Sequence, residues 1–573
     1  MRKYIEFNNN WLFCAKETES GKAFADTAVR LPFFHSADTM TEGSFSTSWT
    51  VAEEDEGKTV YLDFSQISGD AEIFCNGTKI GNHGGSGCPF RQLLSLEVKL
   101  GETYEIRVDV TPEARTDNMF VFAGVSLIVV DSSHFNIAEP EKSIRVSYEI
   151  KEKRAEVSVK TDVVRPNNYD VVSYTVTDMK GDTVFSKTCK PTEPDMAFSI
   201  ENPELWDGQS GAYLYKLNAK LLRDSQCLDE INLNFGLKEI TLNPDGFLYL
   251  NGFRLPLCGV TLTDCSAVKS DIKNIKDLDC NILMSRLLPS KTNLLSITDE
   301  TGMLFWYLLP YSGNEDKDME LLKEFLYLNR NHPSLAAVVC DIKADIEYFT
   351  KVKAILKATA PDVKAVIQKS IETAAAEIPE NAEIIMLNVS FNIQPDAFIS
   401  IGGRFSELQE LFPDKYFAIN PINPLKTELS IGEHDSWHMR LWTAFYRQRS
   451  IIAYFGGHLS DGKTTSSERG LTGSDRSIIY DSFWYYRAQF SPKGFIKICT
   501  PEEYETQEKY IDIRCITNGK NLRLLINGRD KNYRADKISD GVYVFRQLKL
   551  KKEENLIEIS ADDECDSIEI IRY

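Results

Sequence analysis

The sequence predicts a multidomain α+β protein with two β-sandwiches in series, a (β/α)8 barrel and a small C-terminal β-sandwich. Three observations predict it. Up to about residue 240 the chain runs in short alternating strands broken by turn signals. From about 241, short apolar strands alternate with helix-compatible stretches, the pattern of repeated β/α units. After about 500 the strands return alone.

In order, TVYLDFSQIS (59–68), AEIFCNG (71–77), YEIRVDV (104–110) and VSLIVVD (125–131) read as strands, and Asn76-Gly77 is a hairpin turn because both positions tolerate positive φ. SIRVSYEI (143–150), AEVSVKTDVV (155–164) and DVVSYTVTD (170–178) repeat that texture in a second sandwich. The barrel strands are read as FRLPLCGV (253–260), CNILMS (280–285), MLFWYLL (303–309), LAAVVC (335–340), VKAVIQ (363–368), EIIMLNVS (383–390), PLKTEL (424–429) and IIAYFGG (451–457). Met319, Leu322, Phe325 and Leu326 put one apolar face on an intervening helix. A closed barrel of this kind carries its active site at the C-terminal ends of the strands. NLRLLING (521–528), GVYVFRQLKL (541–550) and NLIEIS (555–560) complete the last sandwich. The expected boundaries give units 1–135, 136–240, 241–495 and 496–573.

The 573 residues exceed what one hydrophobic core supports. A formal net charge of -20 disfavours nucleic acid or an anionic membrane as partner, since both need a positive counter-surface. The opening MRKYIEFNNNWLF has no apolar targeting core, so the chain reads as cytoplasmic. Cysteines such as Cys258, Cys280 and Cys340 stand singly inside apolar runs, as buried thiols in a reducing compartment do. No Cys or His spacing suits a zinc site, and neither a metal nor a cofactor is expected. A neutral ligand fits this charge better, and homo-oligomerisation stays open.

A resemblance then emerges. Phe7, Trp11 and Phe13, the segment AEIFCNGTKIGNHGGSGCPF (71–90) and FAGVSLIVV (122–130) look like the sugar-binding jelly-roll that begins glycoside hydrolase family 2 enzymes of the β-galactosidase and β-glucuronidase type. PELWDGQSGAYLYKL (203–217) and FGLKEI (235–240) resemble that family's immunoglobulin-like domain and its exit into the barrel. NGFRLPLCGV (251–260), TDETGMLFW (298–306) and RNHPSLAAVV (330–339) look like its successive barrel landmarks. The resemblance implies hydrolysis of β-glycosides by two carboxyl groups.

The departures fall where that chemistry belongs. Asn281 and Pro289 match the family's strand-two segment, but Met284 and Leu287 stand at its arginine and histidine positions. Counting from Ser334, Ile342 and Lys343 occupy the positions of the Asn and the acid/base Glu, Leu308 follows the third strand's aromatic pair where an acidic residue is usual, and Gly457 replaces a tryptophan. Lysine cannot substitute, because its ordinary pKa near 10.4 makes its cation a poor proton donor to an ether oxygen. PLKTEL resembles the segment that ends in the nucleophile, which makes Glu428 the carry-over, one residue short in spacing. Asp341, directly after the fourth strand, is the candidate for a relocated acid. Lys343 is read as able to pair with Glu428 across the barrel. Lys343, His434, Trp437 and His458, in the segments after strands four, seven and eight, and Asn388 in strand six are the candidate substrate-binding residues. His332 reads as a structural residue of its turn. Asn76, Gly84 and Gly85 mark either a carbohydrate groove or simple turn chemistry. Hydrolysis is therefore expected to be impaired, the alternatives being an atypical active glycosidase using Glu428 and Asp341, or a non-catalytic binding or structural subunit.

Overall fold

The computed structural model describes residues 2–17, 26–36, 40–84, 87–112, 119–263, 267–286, 293–390, 395–446, 448–499 and 503–573; Gly85, Leu287 and Pro289 lie outside them. The first sandwich packs a five-stranded sheet, including Lys3–Glu6, Thr59–Ile67 and Met119–Val130, on a six-stranded sheet that includes Trp11–Glu17, Met40–Thr50 and Thr103–Pro112. Alternation along these strands sends Trp11, Phe45, Phe64 and Phe122 into one core. Asn76 and Gly77 have φ of 47° and 77°, which closes the hairpin between Gly69–Cys75 and Thr78–His83.

The second sandwich faces a three-stranded sheet (Arg145–Lys151, Arg154–Lys160, Met196–Glu201) with a four-stranded one (Thr183–Cys189, Asp170–Thr177, Tyr215–Arg223, Gln226–Phe235). Asp229, fully buried, joins the two sandwiches: its carboxylate accepts two hydrogen bonds from Arg2 at 2.8 and 3.1 Å and one from the Phe135 amide. The last sandwich, beginning at Ile496–Ile498, pairs a four-stranded with a five-stranded sheet.

Between them eight parallel strands close into a barrel: Leu257–Leu262, Ile282–Ser285, Leu304–Leu308, Leu335–Cys340, Lys364–Ser370, Ile384–Ser390, Tyr416–Ile422 and Ile451–His458. Ile282, Met284, Leu304, Trp306, Val339, Val366, Met386, Ala418 and Phe455 fill its interior, while the alternate residues Leu283, Phe305, Val338, Ile367 and Ile385 pack outward on the helices. A small sheet of Ile240–Asn243, Phe247–Leu250 and Phe253–Arg254 plugs the N-terminal end, where Leu248, Leu250 and Trp206 join the interior cluster. No described helix is long and apolar enough to cross a membrane.

Two strand expectations change. The first barrel strand begins at Leu257, because Phe253 and Arg254 pair instead with Leu250 and Tyr249 in the plug. The seventh is Tyr416–Ile422, not 424–429. Pro421 made that segment unlike a central strand, since proline cannot donate to a ladder. The ladder to strand eight ends at Ile419, two residues before Pro421, so little is lost. The segment 424–429 turns instead into the helix Ile431–Phe445, whose N-terminus Ser430 and Glu433 close as a capping box.

The family-like RNHPS turn is a structural hub. His332 Nδ1 lies 2.6 Å from Asp299 Oδ2, the Ser334 amide donates to Asp299 Oδ1 at 2.9 Å, and Trp206 Nε1 donates to the Asp299 carbonyl at 2.9 Å. Buried Lys238 donates to the carbonyls of Pro333 and Leu335, and burial lowers its pKa to about 8. Beside it, Gly302 ends the helix Leu294–Thr301 with φ of 72°, and a Cβ there would stand 2.2 Å from the Gly208 carbonyl group. Gly302→Ala is therefore expected to cost about 2–4 kcal/mol, from left-handed strain plus a backbone clash. Urea unfolding followed by tryptophan fluorescence measures it, and an unchanged midpoint contradicts the packing described.

Candidate functional site at the C-terminal mouth of the barrel

The alternation that packs the barrel also decides what its mouth presents. Val366, Met386 and Ala418 point inward, so Gln368, Asn388 and Asn420, two residues further on, do so one layer higher. They form a buried amide cluster in which Asn388 Oδ1 accepts from Gln368 Nε2 at 2.7 Å and from Asn420 Nδ2 at 2.8 Å. Asn388 thus lies in the polar layer capping the apolar interior. Leu308 contributes an apolar wall to the same layer.

Arg286 follows strand two and lies two residues beyond Met284, on the same face. Its guanidinium donates to Asp341 Oδ2 at 2.9 Å. Asp341, 8% exposed, follows strand four and receives the Lys343 amide on Oδ1 at 3.1 Å, so both its oxygens are engaged. The chain turns immediately, with the Ala344 amide on the Asp341 carbonyl, and Asp345 caps the helix Ile346–Thr359. Buried Lys369 donates to the Ala344 carbonyl at 2.7 Å and holds this turn. Lys343 itself is exposed, and the pairing with Glu428 envisaged from sequence does not form.

Glu428 does not end a strand. It sits exposed on the turn after strand seven, six residues past Ile422, where its Oε2 accepts the Leu425 amide at 3.3 Å. This turn is stitched to the segment after strand eight: Leu425 bridges Glu468, Lys426 Nζ donates to the Gly462 carbonyl at 2.7 Å, and Arg469 donates to the carbonyls of Lys426 and Leu429.

His458 closes strand eight, with Nδ1 3.3 Å from Glu468 Oε2. Burial, aided by the nearby Arg286 cation, lowers its pKa to about 4, and burial raises that of Glu468 to about 7. Gly457 has φ of 84°, and a Cβ there would stand 2.1 Å from Asn423 Oδ1, so no tryptophan fits this backbone.

The helix after strand seven gives a different outcome from that expected. His434 and Trp437 are 0% and 3% exposed and face the packing between barrel wall and helices, not the mouth. Positions 434, 437, 438, 441, 442 and 445 form the buried stripe of a helix, a periodicity that outweighs their loop-like neighbourhood. His438 Nε2 lies 3.1 Å from His434 Nε2, and its Nδ1 is 2.8 Å from Tyr486 Oη.

The structure therefore assembles Asp341, Asn388 and His458 around the mouth with Arg286 and Glu468, which sequence reasoning missed. Arg286 was signalled by its spacing from Met284; Glu468 carried no local signal, since only the stitched turns bring it to His458. A separate cleft of about 580 Å³, lined by Lys216, Asn232, Asn234, Asp299 and Glu300, opens between the second sandwich and the barrel, away from the mouth.

Comparison with known proteins finds similar chains. The model for "Glycosyl hydrolases family 2" matches residues 138–238. A beta-glucuronidase of Bacteroides fragilis is 22% identical over 98% of this chain and 92% of its own length. This match and this relative make the chain similar to members of glycosyl hydrolases family 2. Three longer relatives, 24–26% identical, are spanned over only 44–53% of their length. Among solved structures, an FMN-binding beta-glucuronidase from Facaelibacterium prausnitzii L2-6 superposes with a TM-score of 0.86 at 21% identity, covering 100% of this chain and 98% of that one. Bacteroides uniformis beta-glucuronidase 2, covalently bound to cyclophellitol-6-carboxylate aziridine, gives a TM-score of 0.84 at 16% identity over 100% and 80% of the two chains. The chain shares the fold of these structures.

The buried imidazoles give the protein a pH dependence. Desolvation holds the folded pKa of His438 well below 6.5, so the unfolded chain binds a proton that the folded one refuses. Stability is expected to fall as pH drops below about 6.5, by about 1.4 kcal/mol per pH unit for His438, whereas His458 adds little down to about 4.5 because the raised pKa of Glu468 gives the folded chain a compensating proton. Urea midpoints measured between neutral and acid pH test this, and His438→Gln should remove its share of the slope.

Proposed function

We propose that this protein binds a carbohydrate at the C-terminal mouth of its barrel and cleaves unactivated β-glycosides poorly. One observation carries the impairment: at the position of the family's acid/base stands Lys343, exposed on a turn, while the neighbouring carboxylate, Asp341, has both oxygens engaged by Arg286 and by the Lys343 amide. A retaining glycosidase needs two carboxyl groups about 5–5.5 Å apart, one of them protonated before attack. Glu428 is spent on its own turn, which argues against its serving as nucleophile. Carbohydrate binding is supported by the buried amide cluster of Gln368, Asn388 and Asn420, a polar layer suited to hydroxyl groups, and by the sugar-mimetic bound in the Bacteroides uniformis relative.

Loss of general acid catalysis is expected to leave methyl β-galactoside, β-glucoside and β-glucuronide cleaved about 10²–10⁴-fold more slowly than by an intact site, with para-nitrophenyl glycosides less affected because their leaving group needs little protonation. Steady-state assays with Glu428→Gln and Asp341→Asn proteins test it. Efficient cleavage of a methyl glycoside, abolished by either substitution, overturns the reading; loss through Asp341→Asn would identify Asp341 as a relocated acid.

A further inference from the structure

Among the described residues of the mouth, Glu468 is a carboxyl group paired with an imidazole and not with a lysine or arginine. Glu468 is partly buried, with one-third of its side chain exposed, and its backbone is fixed on two sides by the bridge to Leu425 and by the Gly462 amide on its carbonyl. Oε2 lies 3.3 Å from His458 Nδ1, and His458 is fixed in turn by pairing with Thr261 of strand one and by the Leu471 amide on its carbonyl. We propose that Glu468, positioned by His458, is the proton donor of whatever glycoside cleavage the mouth retains, in place of the carboxyl group absent after strand four. The proposal rests on the reading that the mouth binds glycosides.

The surrounding charges explain why this carboxyl is suited to hold a proton. Burial, with the Arg286 cation nearby, disfavours the imidazolium, so the imidazole is neutral and cannot hold Glu468 ionised. The other cations nearby are committed elsewhere: Lys426 to the Gly462 carbonyl and Asp461, at 2.7 and 3.6 Å, and Arg469 to the carbonyls of Lys426 and Leu429. Burial raises the Glu468 pKa to about 7, into the range a general acid needs. His458 is a positioning residue: its neutral Nδ1 accepts a hydrogen bond from the protonated Glu468 carboxyl, and the proton stays on Glu468 until a ligand is bound.

In the step, the O–H bond of Glu468 breaks and its proton passes to the glycosidic oxygen. The bond from the anomeric carbon to that oxygen breaks, its electron pair staying on the departing oxygen. Water adds at the anomeric carbon and loses a proton to solvent, from which Glu468 is reprotonated.

The test compares phenyl with para-nitrophenyl β-glucuronide, β-galactoside and β-glucoside on the full chain and on Glu468→Gln and His458→Asn. Glu468→Gln is expected to lower kcat on the cleaved phenyl glycoside by about 100-fold or more and to leave the para-nitrophenyl substrate within about threefold, which also shows that the variant folds. For the parent, phenyl turnover should fall as pH rises through about 7, a limb missing in Glu468→Gln and displaced in His458→Asn. Equal loss on both leaving groups, an unchanged pH limb, or no phenyl turnover in the parent overturns the proposal. Saturation-transfer NMR with the same six glycosides separates the two failures. Binding without turnover removes Glu468 as donor and leaves the carbohydrate site standing, whereas binding of none removes the site itself.

Discussion

Closing eight parallel strands into a barrel forces alternate side chains inward, and the rest of this molecule depends on that constraint. The lower inward layers are apolar, and the plug with Leu248, Leu250 and Trp206 seals the N-terminal end. Polar residues are tolerated only at the last inward positions, where the strands open to solvent, and Gln368, Asn388 and Asn420 satisfy one another there. The same alternation delivers Arg286 from strand two and Asp341 from strand four to the mouth, close enough to pair.

That pairing occupies the carboxylate that follows strand four. A carboxylate with both oxygens engaged in one rigid turn, itself clamped by Lys369, is a poor shuttle for protons. The opposite side of the mouth is built differently. The turns after strands seven and eight bond to each other through Leu425, Lys426 and Arg469, and this mutual support sets Glu468 against His458. Arg286 reaches both sides, as partner of Asp341 and as the cation that keeps His458 neutral.

Much of the fold was legible because it rests on local periodicity. Period-two runs marked the sandwiches, Asn76-Gly77 marked a hairpin, and seven of the eight barrel strands overlap the apolar runs that announced them. The seventh was misplaced because Pro421 disguises a central strand whose ladder to strand eight has already ended. His434 and Trp437 were assigned to the mouth from their place in the chain, although their helical spacing belonged to a buried stripe.

The sequence by itself determined the order of the strand-only and β/α segments and the apolar barrel, since each follows from residue type at a given spacing. Tertiary structure alone decided which charges meet. Arg286 and Asp341 are 55 residues apart, and Glu468 meets His458 only because a bridge to Leu425 folds its loop back over the mouth. Electrostatic partnership depends on distance in space and on the surrounding dielectric, and neither is encoded in local pattern.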